Sequence, residues 1–165
     1  MFQVAVLTIS DGVAQGNRVD TSGQAIREIV ESLNNFTVVK HHSVPDEKGE
    51  IITVLKDWAD SETASLIFTT GGTGLGPRDV TPEATAEIID RPVPGIPELM
   101  RSNSMKTTPM AMISRQIAGT RGRCLIINLP GSPHAVRECI AIIEPVLSHA
   151  LEVLSKDHTQ NHPNT

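Results

Sequence analysis

The sequence predicts an α/β protein built on a mostly parallel central sheet. Three observations carry this. Short β-branched apolar runs recur at 3–9, 36–44, 64–70 and 123–129. Each run closes on a Gly, Pro or acidic turn, the pattern of strands buried on both faces. Segments with helical apolar spacing separate them, and alternating strands and helices favour parallel strands joined by right-handed crossovers. The 165 residues fit one domain. That domain is expected over 1–155, with 156–165 as a polar mobile tail.

Gln3-Val4-Ala5-Val6-Leu7-Thr8-Ile9 is the first strand, ended by Ser10-Asp11-Gly12. A helix follows. Thr21-Ser22-Gly23-Gln24 offers a capping box, and Ile26, Ile29, Val30 and Leu33 fall on one face. Phe36 to Val44 is the second strand, then the turn Pro45-Asp46-Glu47-Lys48-Gly49. Ile51, Ile52, Leu55 and Trp58 mark the second helix, and Ala64 to Thr70 the third strand. Thr81-Pro82-Glu83 starts a helix to Ile89, with Thr81 as N-cap and Pro82 at N1. Pro92, Pro94 and Pro97 then interrupt regular structure, and Glu98–Ser104 reads as a short helix. Residues 110–117 are ambiguous between helix and loop. The apolar residues of 91–109 suit either an interface or packing on their own sheet. Arg123–Leu129 is the last strand, and Pro130-Gly131-Ser132-Pro133 opens a long helix over 134–155.

Composition excludes several functions. There are three Phe, one Trp and no Tyr, too few for a reader of single-stranded nucleic acid that stacks bases on aromatic rings. A net charge of -5 argues against affinity driven by counterion release from a polyanion. Cys124 and Cys139 sit in apolar runs and read as buried free thiols of a reducing compartment. The N-terminus has no basic region or cleavage-like site, and no run approaches a membrane span. A cytoplasmic protein with no nucleic-acid or membrane partner is expected.

The chemistry concentrates in four loops that follow strands. The strongest is Thr70-Gly71-Gly72-Thr73-Gly74-Leu75-Gly76-Pro77-Arg78-Asp79. Glycines after a buried strand let backbone N–H groups approach a phosphate closely, and the helix start at Thr81-Pro82-Glu83 adds a favourable dipole. The loop has neither the lysine of a P-loop nor the spacing of the dinucleotide fingerprint. It is a phosphate cradle of another type, or only a turn. Asp79 beside such a cradle makes sense if it holds Mg²⁺, which bridges carboxylate and phosphate oxygens. The plainer reading is a charge near a helix start. Ser10-Asp11, Asp46-Glu47 and Asn128-Leu129-Pro130-Gly131-Ser132 complete the set. In a parallel sheet all four loops lie at the carboxyl ends of strands, where open α/β sheets bind ligands.

No serine is paired with a base by any motif. His41 and His42 point to opposite faces of a strand, and His158 and His162 lie in the tail, so no zinc site is assigned.

Taken together, these segments resemble the molybdopterin adenylyltransferase family, which includes bacterial Mog-type proteins and the gephyrin G domain. The matching stretches run from Leu7-Thr8-Ile9-Ser10-Asp11 through Val44-Pro45-Asp46-Glu47 and Gly71–Thr85. They continue through Pro94–Glu98, Pro109–Arg115 and Ile127–Pro133. The resemblance implies a three-layer α/β/α sandwich, the Mog-like molybdopterin-binding fold. It implies transfer of AMP from Mg²⁺-bound ATP to the terminal phosphate of molybdopterin, with release of pyrophosphate, in a homotrimer. Asp46 and Asp79 match the family's acidic positions, as catalytic residues and Mg²⁺ ligands, and Gly71, Gly72, Thr73 and Gly74 match its nucleotide-phosphate loop. Ser10, Asp11, Thr81, Pro82, Glu83, Ser114, Arg115, Asn128, Pro130, Gly131 and Ser132 match pocket positions, with Arg115 as a cation for the phosphates. Leu75, Met110 and Ile113 would form aliphatic walls. The Thr107–Met112 and Asn128–Pro133 runs look closer to the Mog and gephyrin pattern than to MoaB, and a stand-alone bacterial form is the nearer analogy. The alternative is a non-catalytic molybdopterin-binding or trimeric scaffold protein of the MoaB type.

Overall fold

A computed structural model of the chain describes residues 1–156. Most of the expected tail, with His158 and His162, lies outside the described residues.

The elements are β1 (Phe2–Ile9), α1 (Asp11–Ala14), α2 (Thr21–Ser32), β2 (Phe36–Val44), α3 (Lys48–Asp60) and β3 (Leu66–Thr70). They continue with α4 (Thr81–Ile88), β4 (Arg91–Pro92), α5 (Gly95–Ser104), β5 (Ala118–Arg121), β6 (Cys124–Leu129) and α6 (Pro133–Ser155). A 3₁₀ turn spans Pro109–Ile113. One sheet runs in the order β2-β1-β3-β6-β5-β4. Its β2-β1-β3-β6 part is parallel, and β5 and β4 add antiparallel at the edge.

The sheet divides two cores by simple alternation. In β1, Val4 and Val6 face α2 and α6, while Ala5, Leu7 and Ile9 face α3 and α4. Phe68 joins the first core and Ile67 the second. Helices thus cover both faces, as a parallel sheet buried on two sides requires. This is the α/β architecture and three-layer arrangement expected.

The differences are local. The N-cap of α2 is Asp20, whose Oδ1 accepts from Gly23 N at 2.8 Å; Thr21 is the first helical residue. The N-cap of α4 is Val80, so Thr81 and Pro82 occupy N1 and N2. Helix α5 starts at Gly95, earlier than expected, and Pro97 falls in its first turn, where a missing N–H costs no intrahelical bond. The β4–β5 edge carries no alternating pattern in the sequence because its strands are only two and four residues long. The ambiguous 110–117 stretch resolves into the 3₁₀ turn and an extended segment leading to β5. In 91–109, Ile96 and Met100 pack inward, whereas Leu99 and Met105 are exposed.

Candidate functional site

The strand order reverses direction between β1 and β3, since β2 lies on one side of β1 and β3 on the other. Open α/β sheets bind ligands in the crevice at such a switch point. A cavity of about 320 Å³ lies there. Ser10, Asp46, Gly71, Gly72, Asp79 and Gly131 line it, so residues of all four strand-end loops meet in one place.

Glycine is required at 71 and 72 by backbone shape. Both have positive φ, 94° and 66°, which residues with a Cβ rarely adopt. A Cβ on Gly71 would run into Ile9 O, and one on Gly72 into Thr81 Oγ1. The loop is held from beneath. Thr81, fully buried, donates its hydroxyl to Gly71 O at 2.9 Å and its N–H to Gly72 O at 3.1 Å. Gly74 and Gly76 make room for Asp79, whose Oδ2 accepts from Gly76 N at 2.8 Å.

Arg115 holds this loop and does not reach the cavity as a free cation. Its Nε donates to Gly74 O at 2.6 Å, its Nη2 to Asp79 O at 2.7 Å, and its Nη1 pairs with Glu83. The backbone N–H of Arg115 also donates to Thr73 O at 2.8 Å. Glu83 neutralises it, and the Arg115 hydrogen bonds hold the Glu83 carboxyl below its ordinary value. The expected phosphate-facing role of Arg115 is therefore replaced by a loop-fixing one.

The acidic positions are locked by a reciprocal clasp. Asp11 N donates to Asp46 Oδ2 at 2.9 Å, and Asp46 N donates to Asp11 Oδ1 at 3.0 Å. Arg78 closes the clasp from the third loop, donating to both Asp11 oxygens at 2.8 and 2.9 Å and to Glu47 Oε1 at 2.8 Å. Arg78 holds the Asp11 carboxyl low, with help from Asp46 N. Asp46 moves the other way. Burial raises its pKa, and repulsion from Asp11 and Asp79 adds to this. A carboxylate destabilised by another carboxylate in the same cavity is a place where a cation is favoured.

Other expected residues lie around this centre. Ser10 lines the cavity and caps α1 through Val13 N. Ser132 caps α6. Asn128 is fully buried; its amide donates to Thr69 and Thr85 at 2.9 Å each and its oxygen accepts from Ile117 N. It joins β6 to β3, α4 and the segment before β5, and has no access to the cavity. Pro82 is buried in α4. Ser114 and Pro130 line a separate cavity of about 200 Å³ with Arg101, Met110, Gln116 and Glu138. There, among the described residues, the Ser114 hydroxyl and the Gln116 side-chain carbonyl are buried without partners. Of the expected aliphatic walls, Met110 lines this second cavity; Leu75 and Ile113 line neither and are exposed.

Sequence reasoning missed one wall of the main cavity. Thr8, Val13, Arg18, Val19, Asp20, Thr21 and Ser22 form it. Asp20 Oδ2 accepts from Thr8 Oγ1 at 2.7 Å and lies 2.8 Å from His41 Nε2. Burial pushes its pKa up, but hydrogen bonds from His41, Thr8 and Gly23 N outweigh this and leave it lowered. An Asp directly before a helix start was the available signal.

Comparison with known proteins places the chain among described relatives. Residues 5–149 match the family model described as "Probable molybdopterin binding domain". A molybdopterin adenylyltransferase of Helicobacter pylori is 40% identical over 160 residues, spanning 96% of this chain and 91% of that protein. The molybdenum cofactor synthesis protein cinnamon of Drosophila melanogaster is 43% identical over 92% of this chain, but the match spans only 25% of that longer protein. The solved structure of a molybdopterin biosynthesis enzyme, MoaB of Thermus thermophilus, superposes with a TM-score of 0.88 at 53% identity, covering 94% and 97% of the two chains. A Mog protein of Mycobacterium ulcerans also gives 0.88, at 32% identity over 94% and 100%. The motif likeness to Mog over MoaB is thus not matched by overall identity.

Proposed function

The chain belongs to the molybdopterin binding domain family, and we propose that it transfers AMP from ATP to the terminal phosphate of molybdopterin, releasing pyrophosphate. The observation that carries this reading is one cavity in which Asp46 and Asp79 face the Gly71–Gly72 turn at the sheet's switch point. The adenylyltransferase relatives support it.

The donor set fits Mg²⁺. Among the described residues no group of three or more His, Cys, Asp and Glu is arranged to hold a metal. Mg²⁺ needs no such cage, since one or two carboxylates and substrate phosphates suffice. Asp46 and Asp79 would hold it, and Mg²⁺ would neutralise charge on the phosphates and orient them. The protein supplies the rest. Gly72, which lines the cavity, would offer its backbone N–H to a phosphate oxygen, while the Gly71 N–H is held by Leu129 O; the Asp11–Arg78 clasp fixes Asp46. The acceptor is a phosphate, already ionised at neutral pH, so no general base is needed. Catalysis is then positioning and charge stabilisation.

A pterin carrier or trimeric scaffold is the competing reading. It gives no reason for two carboxylates facing a phosphate-sized turn. Substituting Asp79→Asn or Asp46→Asn at saturating Mg²⁺ is expected to lower AMP transfer at least about 100-fold, the scale of losing one preorganised electrostatic group. Turnover near wild type would overturn the assignment.

The proposal extends to a homotrimer in the cytoplasm. Exposed Met110, Met112 and Ile113 offer apolar surface for subunit contact. Cys124 and Cys139 are free and buried, with thiol pKa values pushed by burial up to about 12 and about 11. Among the described residues no helix is long and apolar enough to cross a membrane.

A further inference from the structure

The main cavity has an uneven charge inventory. Among the described residues three acidic residues line it, Asp20, Asp46 and Asp79, against one basic residue, Arg18. Asp20 is engaged by Thr8, His41 and Gly23 N. The two other arginines near the glycine loop are neutralised, Arg78 by Asp11 and Glu47 and Arg115 by Glu83. Arg18 differs. Among the described residues its side chain has no ion pair and no hydrogen bond, although its backbone is firmly placed. Gly12 O accepts from Arg18 N at 3.0 Å and from Asn17 N at 2.8 Å, closing the 12–18 loop. The side chain then lies across Gly12, where an added Cβ would come within 2.9 Å of Arg18 Cδ. Arg18 thus lines a cavity whose other charged lining residues are acidic, and among the described residues its guanidinium has no partner.

We propose that Arg18 receives the β- and γ-phosphates of ATP and then the leaving pyrophosphate. This rests on the AMP-transfer reading above. In that reaction an oxygen of the acceptor phosphate forms a bond to the α-phosphorus of ATP. The bond from the α-phosphorus to the bridging oxygen breaks, and its electron pair leaves on the pyrophosphate. Negative charge therefore grows on the distal phosphates, away from the acceptor. Mg²⁺ held by Asp46 and Asp79 would offset part of that charge, and Arg18 is the cationic side chain lining the cavity that can meet the rest. A planar guanidinium matches two phosphate oxygens at once, which a flexible ammonium does not.

The test pairs direct binding with kinetics for wild type, Arg18→Gln and Arg18→Lys. Titration calorimetry with inorganic pyrophosphate and Mg²⁺ reads the site without turnover. Arg18→Gln is expected to weaken pyrophosphate binding about tenfold and to raise the KM for ATP by a similar factor, with the KM for molybdopterin unchanged. Arg18→Lys should recover part of the loss. The melting temperature should stay the same, because no described contact is removed. Wild-type pyrophosphate affinity and ATP KM in Arg18→Gln would overturn the inference. So would absence of pyrophosphate binding to the wild type, or a rise confined to the KM for molybdopterin. If the wild type transfers no AMP, the functional reading falls, while Arg18-dependent pyrophosphate binding would still stand as evidence for this site.

Discussion

Arg78 grips two carboxylates from two other loops, and that arrangement makes Asp46 a fixed group where it would otherwise be a mobile one. The guanidinium is about half exposed, so solvent screens its ion pairs and they add little to stability. Its larger effect is on geometry, since small misplacements of reacting groups cost rate steeply. Arg78→Met is expected to leave the melting temperature within a few degrees of wild type and to lower AMP transfer about tenfold or more, read as kcat at saturating substrates. Asp20 has the opposite balance. It caps α2, holds Thr8 and His41, and is mostly buried. Asp20→Ala should destabilise by about 2 kcal/mol at pH 7. Because the folded pKa of Asp20 is lowered, its contribution is complete above the unfolded value, about 3.9, and is lost as pH falls through the folded one. The gap between wild type and Asp20→Ala in a denaturation series should therefore close below about pH 4.

At the scale of elements, the glycine loop is shaped by what lies under it. Thr81 reaches up from α4 to Gly71 and Gly72, and Asn128 joins β6 to β3 and α4 through Thr69 and Thr85. Gly72→Ala forces a Cβ into Thr81 at positive φ. It should cost about 1–3 kcal/mol, and the loop should lose nucleotide affinity in calorimetry. Asn128→Ala leaves the N–H of Ile117 and two threonine hydroxyls without their buried partner. A loss of about 2–3 kcal/mol in urea denaturation is expected, since unsatisfied buried groups cost about 1–3 kcal/mol. Both helix starts that the sequence signalled by Thr-Pro or Thr-Ser are real, but the cap falls one residue earlier in each. A threonine can cap a helix or hydrogen-bond a neighbouring loop, and only the neighbour decides which. Thr81 bonds the glycine loop.

For the whole molecule, strand order decides where the loops meet. The β2-β1-β3-β6 order places four carboxyl ends side by side and opens the crevice between β1 and β3. The edge formed by β5 and β4 and the turn at Pro109–Ile113 leaves Met110, Met112 and Ile113 on the surface. In the proposed trimer these would be covered. Sedimentation should then give three times the 17.8 kDa chain mass, and Met112→Asp with Ile113→Asp should shift it toward the monomer. A monomeric wild type would refute the trimer.

The sequence by itself determined the α/β class, four parallel strands, the main helices and the loops that carry the chemistry. These follow from local periodicity and from the conformational demands of Gly and Pro, which act within a few residues. Asp46 and Asp79 were legible as carboxylates in strand-end loops, Asp79 directly beside the glycine turn. Only the tertiary structure decided which charges are free. Arg115 was expected to serve the phosphates and is neutralised by Glu83; Arg78 is neutralised by Asp11 and Glu47, 67 and 31 positions away. Arg18 carried no motif and Asp20 only its place before a helix start, yet both line the cavity. Charge pairing depends on distance in space, which sequence spacing does not report until the sheet has brought the loops together.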